Sequence, residues 1–164
     1  MKNILVGLFL CFFCSCTEET YIQGIDSPVK DLPVQDPFES DYVEHRAFRN
    51  AWRGTYLNFN GTNIYLTSGI YRWRIEKLRV SNEFLIIWEG NGDTKRYLSV
   101  IGGELKLSST IDNSAKWLFE PVNGATTSQV YILNTFSGGY LHAEYGSVSC
   151  GDVLVGWLSS RWGN

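Results

Sequence analysis

The sequence has few of the residues that most catalytic and metal sites require. Its 164 residues include only two histidines, His45 and His142, and neither stands in a pattern with metal-ligand spacing. No glycine-rich loop that could hold a phosphate opens a helix. Carboxylates are present, but at no spacing that indicates a paired acid and base. We therefore expect a protein that is not an enzyme and that needs neither a cofactor nor a metal.

Excess positive charge and paired cysteines are also missing. Fourteen Lys and Arg against seventeen Asp and Glu give a formal net charge of −3. This balance argues against nucleic acid as a partner, because that binding needs a basic surface over the phosphates. Only Cys150, of four cysteines, lies in the body of the chain. A disulfide framework is therefore not expected, and Cys150 is most simply a small buried side chain.

No apolar run is long enough to span a bilayer as a stable helix. The run from Ile4 to Phe13 follows Lys2 and has instead the layout of a signal peptide, which we assign to residues 1–15. An ordinary secretory signal is one interpretation of this segment. The sequence at its end favours another.

That end, Phe13-Cys14-Ser15-Cys16, resembles a bacterial lipoprotein signal, in which a small residue precedes the cysteine that receives the lipid. Cys16 fits this pattern best, and Cys14 is the alternative. Lipid chains on Cys16 would hold the protein on a membrane. The acidic residues that follow, in Thr17-Glu18-Glu19, resemble export signals of surface lipoproteins. We therefore expect an outer-membrane lipoprotein exposed at the cell surface.

Residues 16–37 carry three of the four prolines, interspersed with aspartates. This composition predicts an extended acidic tether without a packed core. The folded domain is then expected over residues 38–164, and we expect it to be a monomer.

A repeat of about 42 residues organises this domain. The dipeptide Tyr-Leu recurs at spacings of 41 and 43 residues, in Tyr56-Leu57, Tyr97-Leu98 and Tyr140-Leu141. Alternating apolar residues, as in half-buried strands, stand one and three residues after each Tyr and again eight and ten residues after it. A basic residue followed by Trp then ends each unit, in Arg72-Trp73, Lys116-Trp117 and Arg161-Trp162.

The third unit ends before its last strand, and residues ahead of the first unit can supply it. The segment from Phe48 to Leu57 aligns with that from Ile132 to Leu141, and the matched pairs are Asn50 with Asn134, Trp52 with Phe136 and Gly54 with Gly138. The middle copy fits less well and is predicted to carry an insertion. We expect a strand from about Arg46, with a short helix between Ser40 and Ala51 as the alternative.

Three units of roughly four short strands each resemble the β-trefoil fold. The arrangement of an aromatic, a glycine, Tyr-Leu and a closing Trp is similar to the ricin-type lectins, with some fascin-like character, over residues 46 to 164. This resemblance implies an all-β fold and a surface-anchored, non-enzymatic module that binds carbohydrate.

In ricin-type units a polar residue hydrogen-bonds the sugar and an aromatic residue stacks on it. Carried over to this chain, the resemblance implies one site in the third unit. Its residues are His142, Tyr145, Asp152 and Trp157. The alternative for Trp157 is a plug at the end of the barrel.

Two other functions stay open. Exposed loops on a rigid scaffold often bind proteins, so the module could be an inhibitor or a partner in a cell-surface complex. The longer loops are Glu89–Arg96 and Asn123–Gln129. Paired carboxylates that meet only in the fold would make the protein a glycoside-acting enzyme.

Overall fold

Twelve β-strands form nearly all the regular structure in the computed structural model, which describes residues 35–125, 128–144 and 147–161. The predicted signal peptide and most of the tether lie outside the described residues. The strands are β1 Ser40–Asn50, β2 Tyr56–Phe59, β3 Ile64–Thr67, β4 Trp73–Leu78, β5 Phe84–Glu89, β6 Lys95–Ile101, β7 Glu104–Ser108, β8 Lys116–Pro121, β9 Gln129–Asn134, β10 Tyr140–Glu144, β11 Ser147–Gly151 and β12 Trp157–Arg161. One turn of 3₁₀ helix spans Asn113–Ala115. No helix in this part of the chain is long and apolar enough to cross a membrane.

Six strands close into an antiparallel barrel. Each pairs with the next around the ring in the order β1, β4, β5, β8, β9 and β12, and β12 returns to β1. The other six form three hairpins, β2–β3, β6–β7 and β10–β11. Each unit thus consists of a barrel strand, a hairpin and a second barrel strand. This is the predicted β-trefoil, and closure leaves no free barrel edge.

Residues ahead of the first repeat seal the barrel, as predicted. Phe48 lies opposite Ser159, and Asn50 lies opposite Trp157. Strand β1 begins at Ser40, about six residues earlier than expected, because its first half also pairs with β4. The alternative of a helix in this segment is wrong.

Three tryptophans form the centre of the core. Trp73, Trp117 and Trp157 are fully buried, each at the start of the second barrel strand of its unit. Each indole N–H donates to the carbonyl oxygen of the leucine in a Tyr-Leu repeat. The pairs are Trp73 with Leu57 at 3.0 Å, Trp117 with Leu98 at 2.8 Å and Trp157 with Leu141 at 2.8 Å. The same bond made three times fixes the hairpins to the barrel.

The closing tryptophan of the third unit was predicted wrongly. It is Trp157, which follows Leu141 by 16 residues as Trp73 follows Leu57. The basic-Trp pattern pointed instead to Trp162, which lies outside the described residues.

The middle unit carries the predicted insertion. A barrel strand and the following hairpin strand pair at Arg49 with Tyr56, at Leu133 with Tyr140 and at Ile87 with Tyr97. The sequence separation is seven residues in the first and third units and ten in the middle one. Three extra residues therefore lie between β5 and β6, where the threefold symmetry is broken.

Candidate functional site

The structure removes Trp157 from the sugar site that we predicted in the third unit. Trp157 has no exposed surface, and its N–H is held by Leu141, so neither its face nor its donor can reach a ligand. The stacking role predicted for Trp157 is therefore wrong, and its burial agrees with the alternative of a barrel plug. Tyr145 lies outside the described residues. Asp152 is exposed at the end of β11, and its role stays a prediction.

His142 is engaged within its own hairpin. Its Nδ1 lies 3.2 Å from the carbonyl oxygen of Tyr140, and its Nε2 lies 2.9 Å from the Ser149 hydroxyl. The carbonyl can only accept, so Nδ1 carries the proton and Nε2 accepts from Ser149. Both ring nitrogens therefore have partners before any sugar arrives. A sugar would have to displace Ser149 to use His142.

Two exposed aromatic rings stand at equivalent turns instead. Trp52 is 74% exposed and Phe136 is 66% exposed. They follow the buried asparagines Asn50 and Asn134, whose side-chain oxygens accept backbone N–H groups within the turn. Each turn ends at a glycine whose backbone φ is positive. The angle is 70° at Gly54 and 72° at Gly138. Asparagine and glycine thus hold the turn, and they place the aromatic ring outside the core.

A groove of about 390 Å³ lies beside Phe136. The β6–β7 hairpin and the segment leading to β8 form its other wall. The lining residues with polar side chains are Ser108, Thr110, Asp112, Asn113 and Ser114. The groove therefore combines one exposed aromatic ring with hydroxyl, amide and carboxylate groups, which are the groups that bind small polar ligands.

Asp112 supplies the only ionisable side chain among the residues that line this groove. Its Oδ1 accepts from the Ser114 hydroxyl at 2.5 Å and from the Ser114 backbone N–H at 2.8 Å. These hydrogen bonds, led by that of the hydroxyl, hold the pKa of the Asp112 carboxyl below its usual value. The groove consequently carries a negative charge at neutral pH.

Trp52, in the turn of the first unit, and Asp152, in the third unit, correspond to Phe136 and Asp112. Asp152 precedes Trp157 by five residues, as Asp112 precedes Trp117. The backbone N–H of Ala51 donates to Gly156 at 3.0 Å, and that of Thr135 donates to Lys116 at 3.1 Å. The Arg53 guanidinium stacks on the Trp52 ring at 5.0 Å, whereas the residue that follows Phe136 is the uncharged Ser137. The sequence alignment of the two turns already matched Trp52 with Phe136. It predicted the strand that closes the barrel but not that the two rings are exposed.

Further depressions lie around the hairpins. One, of about 620 Å³, is lined by residues of all three hairpins. Another, of about 290 Å³, lies beside Trp88 and the inserted loop. No group of three or more His, Cys, Asp or Glu that could hold a metal ion occurs in the described residues. Cys150 is half-buried, and this burial raises the pKa of its thiol, as suits a packing residue.

Several solved structures resemble the fold of this chain. SeviL bound to asialo-GM1 saccharide matches with a TM-score of 0.62 and 16% identity, over 73% of this chain and 98% of that one. The lysenin pore matches with a TM-score of 0.55 and 11% identity over 80% of this chain. The match covers half of the lysenin chain. A Caenorhabditis elegans protein of unknown function matches with a TM-score of 0.54 and 14% identity, over 77% of this chain and 98% of that one.

No protein-family model and no curated protein sequence matches the chain. The identities to the solved structures are low, so these likenesses establish the fold alone. The chain is an all-β protein with a trefoil-like fold, and the SeviL structure that shares this fold holds a saccharide.

Proposed function

We propose that this protein is a non-enzymatic carbohydrate-binding module and that the groove beside Phe136 holds the sugar. The observation that carries the proposal is the exposed ring of Phe136 next to a fixed carboxylate. A pyranose has an apolar face of C–H groups, which packs on an aromatic ring, and hydroxyls around its edge, which donate to a carboxylate. The saccharide bound to the SeviL structure supports the same class of ligand.

The charge of the groove limits the class of sugar that can bind there. Asp112 is ionised and faces the groove, and none of the described residues that line the groove is a cation. An acidic sugar would meet repulsion there, whereas the hydroxyls of a neutral sugar would donate to Asp112. The groove is therefore suited to a neutral glycan.

A glycan array with the full chain tests this proposal, and Phe136→Ala is the decisive variant. Losing the ring removes about 100 Å² of apolar contact, and we expect affinity for neutral glycans to fall roughly 10- to 100-fold. Phe136→Trp should retain binding. Ile70→Ala, which removes another exposed apolar side chain, is the matched control and should bind as the wild type does.

The same array separates the alternatives. If neutral glycans bind the Phe136→Ala variant as tightly as the wild type, the groove beside Phe136 is not the sugar site. Capture of a surface protein without any glycan signal would favour the protein-interaction module. Turnover of a bound glycan that a single carboxylate variant abolishes would make the protein a glycoside-acting enzyme.

Anchoring at the cell surface through a lipid on Cys16 is part of the proposal and rests on the sequence alone. In cells that process lipoproteins, we expect Cys16→Ser to move the protein from the detergent phase to the aqueous phase in a phase-partition experiment. Cys14→Ser, the matched control, should leave it in the detergent phase. The reverse pattern would place the lipid on Cys14, and partition that neither change affects would exclude a lipid on either cysteine.

A further inference from the structure

The inserted loop of the middle unit forms a groove with the opposite charge to the first. This groove, of about 290 Å³, is lined by Phe59, Gly61, Trp88, Gly90, Asn91, Thr94 and Arg96. Arg96 is the only charged residue in this set. Two aromatic rings, two small polar side chains and one cation thus meet where the threefold symmetry is broken.

Trp88 takes the place that a buried asparagine holds in the other two units. It follows Ile87 as Asn50 follows Arg49 and as Asn134 follows Leu133, in each case one residue after the paired position. In those units the asparagine side chain accepts from the turn's own backbone. In the middle unit the turn is built differently, and an indole ring lies beside it.

The indole is held firmly in this position. The Phe59 ring meets it edge to face, with 5.2 Å between centroids. Gly90 lies so close beneath the ring that a Cβ there would be 2.5 Å from Cη2 and Cζ3 of Trp88. Only glycine fits at this contact, so the ring lies against the backbone of the inserted loop.

Stability alone does not account for this tryptophan. The indole N–H of Trp88 is buried and has no acceptor among the described residues, unlike those of the three core tryptophans. A buried donor without an acceptor costs about 1–3 kcal/mol. A phenylalanine would keep an aromatic ring in this position without that cost. The indole ring is therefore expected to serve a purpose other than packing.

Arg96 lies opposite Trp88 in the β5–β6 pair and is exposed. The neighbouring cations are neutralised, since Arg74 binds Glu76 and Glu89 and Lys95 binds Glu76. No ion pair or hydrogen bond joins Arg96 to another described residue. A guanidinium without a carboxylate partner, beside an aromatic ring, is arranged to take a carboxylate or sulfate from a ligand.

We propose that this groove is a second sugar site, selective for acidic sugars, in which Arg96 binds the carboxylate or sulfate and Trp88 packs against the ring. The inference rests on the proposed function, because it takes the ligand to be a glycan. The two grooves divide the ligands by charge. Asp112 excludes an acidic group from the first, and Arg96 attracts it to the second.

The test is a calorimetric titration of the full chain with 3′-sialyllactose, 3′-sulfolactose, lactose and inorganic sulfate. We expect one or both acidic sugars to bind more tightly than lactose, and Arg96→Gln to weaken that binding about 10- to 100-fold. The two acidic probes distinguish a carboxylate ligand from a sulfate ligand. Arg96→Lys should restore part of the affinity, because it keeps the charge but loses the bidentate geometry. Lys77→Gln makes the same charge change on β4 and should have no effect.

The outcomes separate this inference from the proposed function. Neutral-glycan binding that depends on Phe136, together with acidic binding that Arg96→Gln leaves unchanged, would overturn the second site alone. Inorganic sulfate that binds as tightly as the acidic sugars would show an anion site without a sugar, and would also overturn it. Failure of every glycan to bind, acidic and neutral, would overturn both proposals.

Discussion

Replacing Trp157 by alanine is expected to lower the free energy of unfolding by about 3–5 kcal/mol, the range for removing a buried tryptophan. The ring is fully buried, and its loss also leaves the carbonyl oxygen of Leu141 without its donor. Urea unfolding followed by circular dichroism measures the change. Trp117→Ala should cost a similar amount, because the same bond recurs there with Leu98.

Trp52→Ala is the control for this experiment. Trp52 is 74% exposed, and we expect its loss to change stability by less than about 0.5 kcal/mol. A Trp157→Ala protein that unfolded like the wild type but no longer bound sugar would contradict the account. That result would restore Trp157 as a sugar-stacking residue.

Asn134→Ala is expected to lower the free energy of unfolding by about 2–4 kcal/mol, since three hydrogen bonds are lost at about 1 kcal/mol each and the Ser114 carbonyl loses its side-chain donor. The Asn134 amide donates to the carbonyl oxygens of Ser114 at 2.7 Å and Lys116 at 3.2 Å. Its oxygen accepts from the Ser137 N–H at 2.9 Å. The variant should also weaken glycan binding, because this turn positions Phe136. Thermal and urea unfolding give the first effect, and the glycan array gives the second.

Asn50→Ala is the matched comparison at the equivalent turn. The Asn50 oxygen accepts from the N–H groups of Trp52 and Arg53, but its buried amide nitrogen has no acceptor among the described residues. We therefore expect a smaller loss, about 1–2 kcal/mol. Equal losses for the two variants would show that the bonds from Asn134 to Ser114 and Lys116 do not stabilise the fold.

The fold could be predicted because short segments of the sequence are enough to recognise its repeat. The Tyr-Leu pairs and the alternation after them locate the three hairpins, and the match between Asn50 and Asn134 locates the strand that closes the barrel. Each of these signals depends on which face of a strand is buried, and that is a property of short segments. The three units and their insertion follow from counting along the sequence.

The site could not be predicted in the same way. Trp157 has the chemistry of a sugar platform, and only its pairing with Asn50 across the closed barrel shows that it is internal. Phe136 and Asp112 come from different units, and the groove between them exists only because the barrel brings the units together. The equivalence of Trp52 and Phe136 was visible in the sequence, but their exposure was not. That exposure depends on the buried asparagine that turns each chain segment outward.

The most direct test of the sugar-binding groove is an NMR titration of the full chain with the neutral glycan that binds best on the array. We expect the largest amide shifts in residues 100–102, 108–114 and 135–138, which surround Phe136 and Asp112, and we expect Phe136→Ala to need roughly 10- to 100-fold more glycan to produce them. Shifts confined to the His142–Ser149 hairpin, or to the depression shared by the three hairpins, would contradict it.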